Sequence, residues 1–355
     1  MIQFFKSAVS IVFSLYYAFA GALFYPKPET DSVAFAKGLG SGWNLGNTLE
    51  AWQLPMPGDT ETCWGNPLTS KELIEFVKEC GFNVVRIPVT WFGHMDDEGN
   101  IDESWMDRVN EVVDYVLDSG MYAVLNTHHD DVDWLIPDSA HAEESSAMIK
   151  KVWGQIAEHF KDYDERLIFE TMNEPRVIGP EDEWTGNDEV RKFVNKLNFA
   201  ALEAIRQSGG RNTDRYVFVT PCVAGTSEDN VNALEVPDDP HVMVSLHYYS
   251  GTAHRSEFAD CEKMPDSKAR REIYGTFKRI YKKFTAKGIG VCITEFGWTD
   301  REHIDNLAFK AKIFTEMARS FGMPCFVWDN GESFMLIDRN TVTEKYPEYI
   351  EAITG

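Results

Sequence analysis

Positive charge is scarce in this sequence. The 34 lysines and arginines stand against 57 aspartates and glutamates, a formal net charge of −23. Nucleic acid and anionic membrane surfaces are recognised by basic patches, so neither is an expected partner. The acid surplus is otherwise a solubility feature and is compatible with a neutral polymer as ligand. Other signatures are missing as well. Gly42, Gly46 and their neighbours do not form GxGxxG, which removes the usual dinucleotide-binding opening. Neither HExxH nor any Cys/His spacing of a metal site occurs, so no metal and no cofactor is expected. There is no CxxC pair among the six cysteines (Cys63, Cys80, Cys222, Cys261, Cys292, Cys325). Their even number permits disulfides in an exported protein, while Cys292 and Cys325 lie in apolar runs that suit buried free thiols. No internal repeat and no low-complexity linker divides the chain.

What is present begins at the N-terminus. Lys6 precedes an apolar run from Ala8 to Tyr17, and Ala18-Phe19-Ala20 fits a small-x-small cleavage site before Gly21. Residues 1–20 therefore read as an export signal; an uncleaved anchor and a mis-assigned start are the alternatives. The run is short for a membrane span and no second long apolar segment follows, so the mature protein is expected to be secreted and soluble.

From there apolar strand-like runs alternate with helical periodicity. Strands are expected at Ser41–Asn47, Asn83–Val89, Tyr122–Thr127, Leu167–Met172, Tyr216–Thr220, Val242–Tyr248, Gly290–Thr294 and Pro324–Trp328. The helical segments are Thr69–Cys80 (with Ser70 as cap), Asp102–Ser119, Glu143–Phe160, Asp188–Gln207, a short one near Glu228–Leu234, Ser267–Ala286, Glu302–Ser320 and a closing Thr343–Ile353. Strands that are apolar throughout belong to a parallel sheet covered on both faces. Eight βα units in about 310 residues suit a closed (β/α)8 TIM barrel, one α/β domain over 31–355.

Active sites of such barrels lie at the C-terminal ends of the strands. The polar residues expected there are Asn44, Arg86, His128-His129, Asn173-Glu174, His247 with Tyr249, Glu295, and Trp328 with Asn330. Pro175 removes a backbone donor and should stop the fourth strand at Glu174. Glu295 ends the seventh run in the same way. Two carboxylates at strand ends are what glycoside hydrolysis requires, one as proton donor and one as nucleophile or base. Arg86, inside an apolar run, is costly to bury unless it pairs with a carboxylate, and beside Glu295 it would hold that residue ionised. Glu174 must then keep its proton, with ionised Glu295 as the neighbour that raises it. Trp328 offers a flat face for a sugar ring, Asn173 a hydrogen bond to a sugar 2-hydroxyl, and Tyr249 a donor to the nucleophile. His128 and His129 are adjacent, and on a regular strand they would face opposite ways. Trp64, Trp91, Trp134, Trp184 and Trp298 fall in or near rim-side loops, where they would line a cleft or pack beneath a loop.

GWNLGNTLEAW (Gly42–Trp52), VRIPVTW (Val85–Trp91), LNTHHD (Leu125–Asp130), FETMNEPR (Phe169–Arg176), SLHYYS (Ser245–Ser250), ITEFGW (Ile293–Trp298) and FVWDNG (Phe326–Gly331) together resemble the family 5 glycoside hydrolases. Within them the chain is most similar to bacterial-type endo-β-1,4-glucanases, a group with xyloglucan-active members. The resemblance runs from about Asp31 to the C-terminus. It implies a retaining double displacement, with Glu174 as acid/base and Glu295 as nucleophile. Arg86, His128, Asn173, His247, Tyr249 and Trp328 would surround the scissile sugar, and Asn44 and His129 would contact the next sugar along. Asp130 departs from the family pattern, which often has Glu after the two histidines. The expectation is a secreted monomer cutting a polysaccharide. Xyloglucan, mixed-linkage glucan and β-mannan stay open as substrates, since loops 52–66, 91–100, 131–141, 176–187 and 250–266 decide between them. An inactive carbohydrate-binding barrel is expected to lack one of the two glutamates, and both are present.

Overall fold

Eight short strands hydrogen-bond side by side in chain order and close on themselves, β1 pairing with both β2 and β8. They are β1 (Gly42–Leu45), β2 (Val84–Ile87), β3 (Tyr122–Asn126), β4 (Leu167–Glu170), β5 (Val217–Val219), β6 (Val242–Tyr248), β7 (Gly290–Phe296) and β8 (Cys325–Asp329), all parallel. The helices are α1 (Asp31–Gly38), α2 (Lys71–Glu79), α3 (Glu103–Asp118), α4 (Ala142–His159), α5 (Asp188–Gln207), α6 (Glu228–Ala233), α7 (Ser267–Lys283), α8 (Ile304–Ser320) and α9 (Pro347–Thr354). This computed structural model describes residues 23–56, 60–249, 267–299 and 304–355, together with 12, 16, 17 and 21. The proposed export signal thus lies largely outside the described residues. No helix among them is long and apolar enough to cross a membrane.

The period of two along a strand divides the barrel interior into layers. The lower layer is apolar: Val84, Val124, Ile168, Phe218, Met243, Cys292 and Phe326 cluster there, closed from below by Ala36 and Leu39 at α1. Gly42 makes room for this packing, because a Cβ there would overlap the Phe326 ring. Two residues further along the strands the inward positions turn polar, with Arg86 after Val84, Asn126 after Val124, Glu170 after Ile168, Ser245 after Met243 and Thr294 after Cys292. All five are fully buried. The outward faces of the strands pack under the helices in the larger apolar cluster. Ser70 caps α2, accepting from the Leu73 amide at 3.2 Å.

Several expected boundaries move. β4 ends at Glu170, not Glu174, because residues 171–174 leave the ladder and bend across the rim. β7 runs on to Phe296 and so includes Glu295. The closing helix starts at Pro347; Thr343–Glu344 pairs instead with Ile337–Asp338 as a two-stranded ribbon, β9 and β10. Helix α1 was not expected, since eight residues with little amphipathic contrast give weak periodicity. Among the described residues Cys80, Cys222, Cys292 and Cys325 are free thiols; Cys261 lies outside them.

Asp329, at the end of β8, ties the closing seam of the barrel. Its Oδ2 accepts from Trp43 Nε1 at 3.1 Å and from the amides of Leu336 (2.9 Å) and Ile337 (3.1 Å). Its Oδ1 faces the buried Arg339, which also donates to the Gly46 carbonyl at 2.7 Å. Removing one partner of a buried ion pair leaves an uncompensated charge. Asp329→Ala is expected to lose about 3–5 kcal/mol in urea unfolding; a loss below about 1 kcal/mol would contradict this role.

Candidate active site

The polar layer of the barrel is organised by Arg86, whose side chain has no solvent exposure. Its Nε donates to Glu170 Oε2 at 2.7 Å, and Nη2 lies 2.6 Å from the same oxygen. Nη1 donates to Asn44 Oδ1 at 2.9 Å and to Glu295 Oε1 at 2.6 Å, and Nη2 to Asn173 Oδ1 at 2.8 Å. The guanidinium thus donates to four acceptors, and its charge is divided between two carboxylates. Glu170 is held in turn by Ser245 Oγ at 2.5 Å and Asn126 Nδ2 at 2.9 Å.

Above this layer lie the two candidate carboxylates. Glu295 projects from β7, where the pairing with β6 shifts register between Leu246 and His247. Its Oε2 accepts from the Tyr249 hydroxyl at 2.9 Å, so each of its oxygens has its own donor. Glu174 sits on the bend after β4, which the Asn173 amide anchors to Thr127 O at 2.9 Å. His247 Nδ1 lies 2.7 Å from Glu174 Oε1 and 3.5 Å from Glu295 Oε2. Oxygens of the two carboxylates and a nitrogen of His247 all fall within 4.8 Å of one another. The trio opens into a cleft of about 980 Å³. His128, His129, Asn173, Tyr249 and Trp328 line it, as do Trp64 and Trp184.

Electrostatics separate these groups. Burial, with His129 and Arg86 adding to it, drives the His128 imidazole well below its ordinary range, and burial with Arg176 brings His129 down to about 4. Both are neutral hydrogen-bonding groups at neutral pH. Burial and the nearby carboxylates hold the Tyr249 phenol well above its usual value, so it remains a donor. Burial raises both glutamates. At Glu174 the hydrogen bond and charge of His247 outweigh it, and the carboxyl lies below its ordinary range. At Glu295 burial prevails over His247 and Arg86, and the carboxyl lies above it. This reverses the order expected from sequence. Arg86 shares its charge with Glu170, and His247, 73 residues from Glu174 in the chain, pairs with that carboxylate.

Other expectations need correction. Asn44 does not reach the cleft: it is fully buried, donates to Thr294 O at 2.9 Å and Val327 O at 3.1 Å, and supports Arg86 from behind. His128 and His129 both line the cleft, because β3 has already ended at Asn126 and strand alternation no longer applies. Trp91 is a core residue bonded to Asn126 O at 3.0 Å. Trp134 bonds Asp130 Oδ1 at 3.1 Å and Trp298 packs on Phe314, so neither lines the cleft. Asp130 accepts from the amides of Trp91 and Phe92 at 3.0 and 2.8 Å and braces the rim without entering the cleft. The sequence reading missed Glu170, Asn126 and Ser245. Their signal was available: each is a polar residue two places after an apolar inward residue of a buried strand. A metal ion would have to compete for Glu174, His247 and Glu295, the grouping of suitable ligand atoms among the described residues. Arg86 already supplies a cation to that cluster, which disfavours a second one.

Residues 53–333 match the family described as Cellulase (glycosyl hydrolase family 5). The Cellulase/esterase CelE of Acetivibrio thermocellus is 40% identical over 336 residues, 92% of this chain and 40% of that protein. Endoglucanase A of Clostridium longisporum is 39% identical over 330 residues, 89% of this chain and 64% of that protein. The chain thus spans less than two thirds of the length of these two curated relatives. A solved structure described as a GH5-4 broad specificity endoglucanase from Ruminococcus champanellensis with bound cellotriose superimposes with a TM-score of 0.85. It is 37% identical, with 92% of this chain and 100% of that one covered.

His247 pulls both carboxyls down, so its removal raises both. In His247→Ala the two limbs of the pH profile of kcat/KM on a soluble oligosaccharide are expected to move to higher pH. Limbs that stay where they are in the wild type would contradict the pairing.

Proposed function

Because the chain belongs to glycosyl hydrolase family 5, the cellulase family, we propose that it is an endo-β-1,4-glucanase acting by a retaining double displacement. The observation that carries the reading is the spacing of Glu174 and Glu295, one oxygen of each lying within 4.8 Å of the other. Retaining enzymes have carboxyl groups about 5–5.5 Å apart, whereas inverting ones need about 6.5–9.5 Å.

In the first step a Glu295 oxygen bonds to the anomeric carbon as the bond to the leaving sugar oxygen breaks. Glu174 gives that oxygen its proton, and a covalent glycosyl ester results. In the second step Glu174 takes a proton from water, the water oxygen bonds to the same carbon, and the ester is released with configuration retained. The first step needs the proton on Glu174 and charge on Glu295. Two carboxylates this close hold one proton between them, and His247 Nδ1, bonded to Glu174 at 2.7 Å and 3.5 Å from Glu295, stands beside both. Once Glu295 is esterified its charge is gone, and the low range of Glu174 suits a base. Arg86 and Tyr249 hold Glu295 for attack. Asn173, its Oδ1 taken by Arg86, keeps an amide group for the sugar 2-hydroxyl. Trp328 is the stacking face for the ring that reacts.

A neutral β-glucan suits a cleft lined by Trp64, Trp184 and Trp328 and by the neutral imidazoles of His128 and His129. Since a polymer of this kind stays outside the cell, residues 1–20 are proposed as an export signal and 31–355 as the catalytic domain.

Hydrolysis of carboxymethyl cellulose, barley β-glucan, xyloglucan, glucomannan and galactomannan tests the substrate. Activity on the glucans is expected, reduced about 10²–10⁴-fold in Glu174→Gln and Glu295→Gln; activity on mannans alone would overturn the substrate. Azide is expected to restore turnover to Glu295→Gly with inverted product. Rescue of the corresponding Glu174 variant with inversion would exchange the two roles.

A further inference from the structure

Glu174 is not carried by the barrel itself. β4 ends at Glu170, and the carboxylate stands on the bend that follows, outside the strand pairing that fixes Glu295 on β7. A proton donor has to stay within hydrogen-bond reach of the oxygen it protonates, so something else must hold this bend. It is tied down residue by residue. The Asn173 amide donates to Thr127 O at 2.9 Å, and the Pro175 carbonyl accepts from the Val223 amide at 3.1 Å. Val223 keeps a φ of 51°, a left-handed value that a β-branched residue holds only where the surrounding structure enforces it. Between these two ties, the carbonyl of Glu174 accepts from Arg176 Nη1 at 3.2 Å.

Of the three ties only the last is made by a side chain, and that side chain is itself fixed. Arg176 Nη1 lies 2.5 Å from Asp131 Oδ2, and Nε donates to Glu183 Oε1 at 3.1 Å. Glu183 closes its own loop by accepting from the Gly179 amide at 2.9 Å. Asp131 is buried, with 2% of its side chain exposed, on the short turn after β3 that begins next to His129. The pair therefore bridges the β3 and β4 loops directly behind the proton donor. A buried ion pair is weak evidence for stability, because well-packed apolar residues serve as well or better. It has a use where a cation must be kept in one place. An arginine free to reach the Glu174 carboxyl would hold it ionised, which is wrong for a group that must give a proton. Here Asp131 and Glu183 engage the guanidinium from the other side, and what it offers Glu174 is a bond to the main chain.

We propose that Asp131 and Arg176 are positioning residues for proton donation, clamping the main chain of Glu174 while keeping the guanidinium off its carboxyl group. The proposal rests on the hydrolase reading above and deepens it. Neither residue acts on the substrate; both act through Glu174, so their effect is confined to steps in which Glu174 moves a proton.

The test compares kcat/KM, which reports the first step, on cellotetraose and on 2,4-dinitrophenyl cellobioside. A sugar departs only with a proton, whereas dinitrophenolate departs without one. Both leaving groups meet the same wall beyond Glu174, so a general disturbance of that wall or of the fold lowers both constants alike. In Arg176→Gln and Asp131→Asn the constant on cellotetraose is expected to fall about 10–100-fold, the cost of a misplaced general acid. The constant on the dinitrophenyl substrate should stay near that of the wild type. Glu174→Gln, run beside them, should show the same selective loss and a larger one. An equal loss on both substrates, a loss confined to the dinitrophenyl substrate, or no loss on either overturns the assignment. Asp131→Asn, which keeps the shape of its side chain, carries the test should Arg176→Gln fail to fold. A wild type that cleaves neither substrate would instead overturn the hydrolase reading, and this assignment with it.

Discussion

One buried cation sets the terms for the rest of the molecule. Arg86 lies inside the barrel with no solvent exposure, and taking such a charge out of water costs several kcal/mol before any partner is counted. The cost is offset because Glu170, Glu295, Asn44 and Asn173 all accept hydrogen bonds from it, two of them as carboxylates. Those four acceptors come from β1, β4, β7 and the bend after β4, so the site is correct only when the barrel is closed. Catalytic geometry and folding are coupled through this one side chain. Because Glu170 takes part of its charge, Glu295 is held firmly in place without being fully neutralised, which suits the nucleophile role proposed for it.

The architecture that makes this possible is a vertical division of labour. An apolar layer from Val84 to Phe326, sealed below by α1, supplies the burial, and the next inward positions spend it on a fixed polar network. A network in which each group has a partner is rigid, and a rigid network can present Glu295, Asn173 and Tyr249 at set distances to a substrate. Above it the loops differ in character from one side of the cleft to the other. The side carrying Glu174 is braced by Arg176 and by a strained turn, whereas Trp64 on the opposite side stands near His129 with ring centroids 5.7 Å apart.

Much of this was legible in the residues. Continuous apolar runs marked buried parallel strands, and α5 at Asp188–Gln207 and β6 at Val242–Tyr248 fall where the periodicity placed them. Strand-end motifs placed Glu174, Glu295, His247 and Trp328 around one opening, because a closed barrel gathers all its strand ends at one face. What was not legible depended on contacts between distant parts of the chain. Asn44 looked like a rim residue and turned inward because Arg86, 42 residues on, needed an acceptor. The two histidines faced the same way because their strand had ended, and no local rule marks where a four- or five-residue strand stops. β9 and β10, two residues each, are too short to carry a period at all. The charge order of the glutamates followed from His247, a partner that only the assembled barrel brings near.

The central claim is that Glu295, held by Arg86 and Tyr249, is the atom-donating partner in bond cleavage. A cellobioside bearing fluorine in place of the 2-hydroxyl and an activated leaving group slows release of the ester, and peptide mass mapping then locates it. The account predicts a single cellobiosyl adduct on the peptide containing Glu295. An adduct on Glu174, or inactivation with no covalent sugar on either residue, would contradict it.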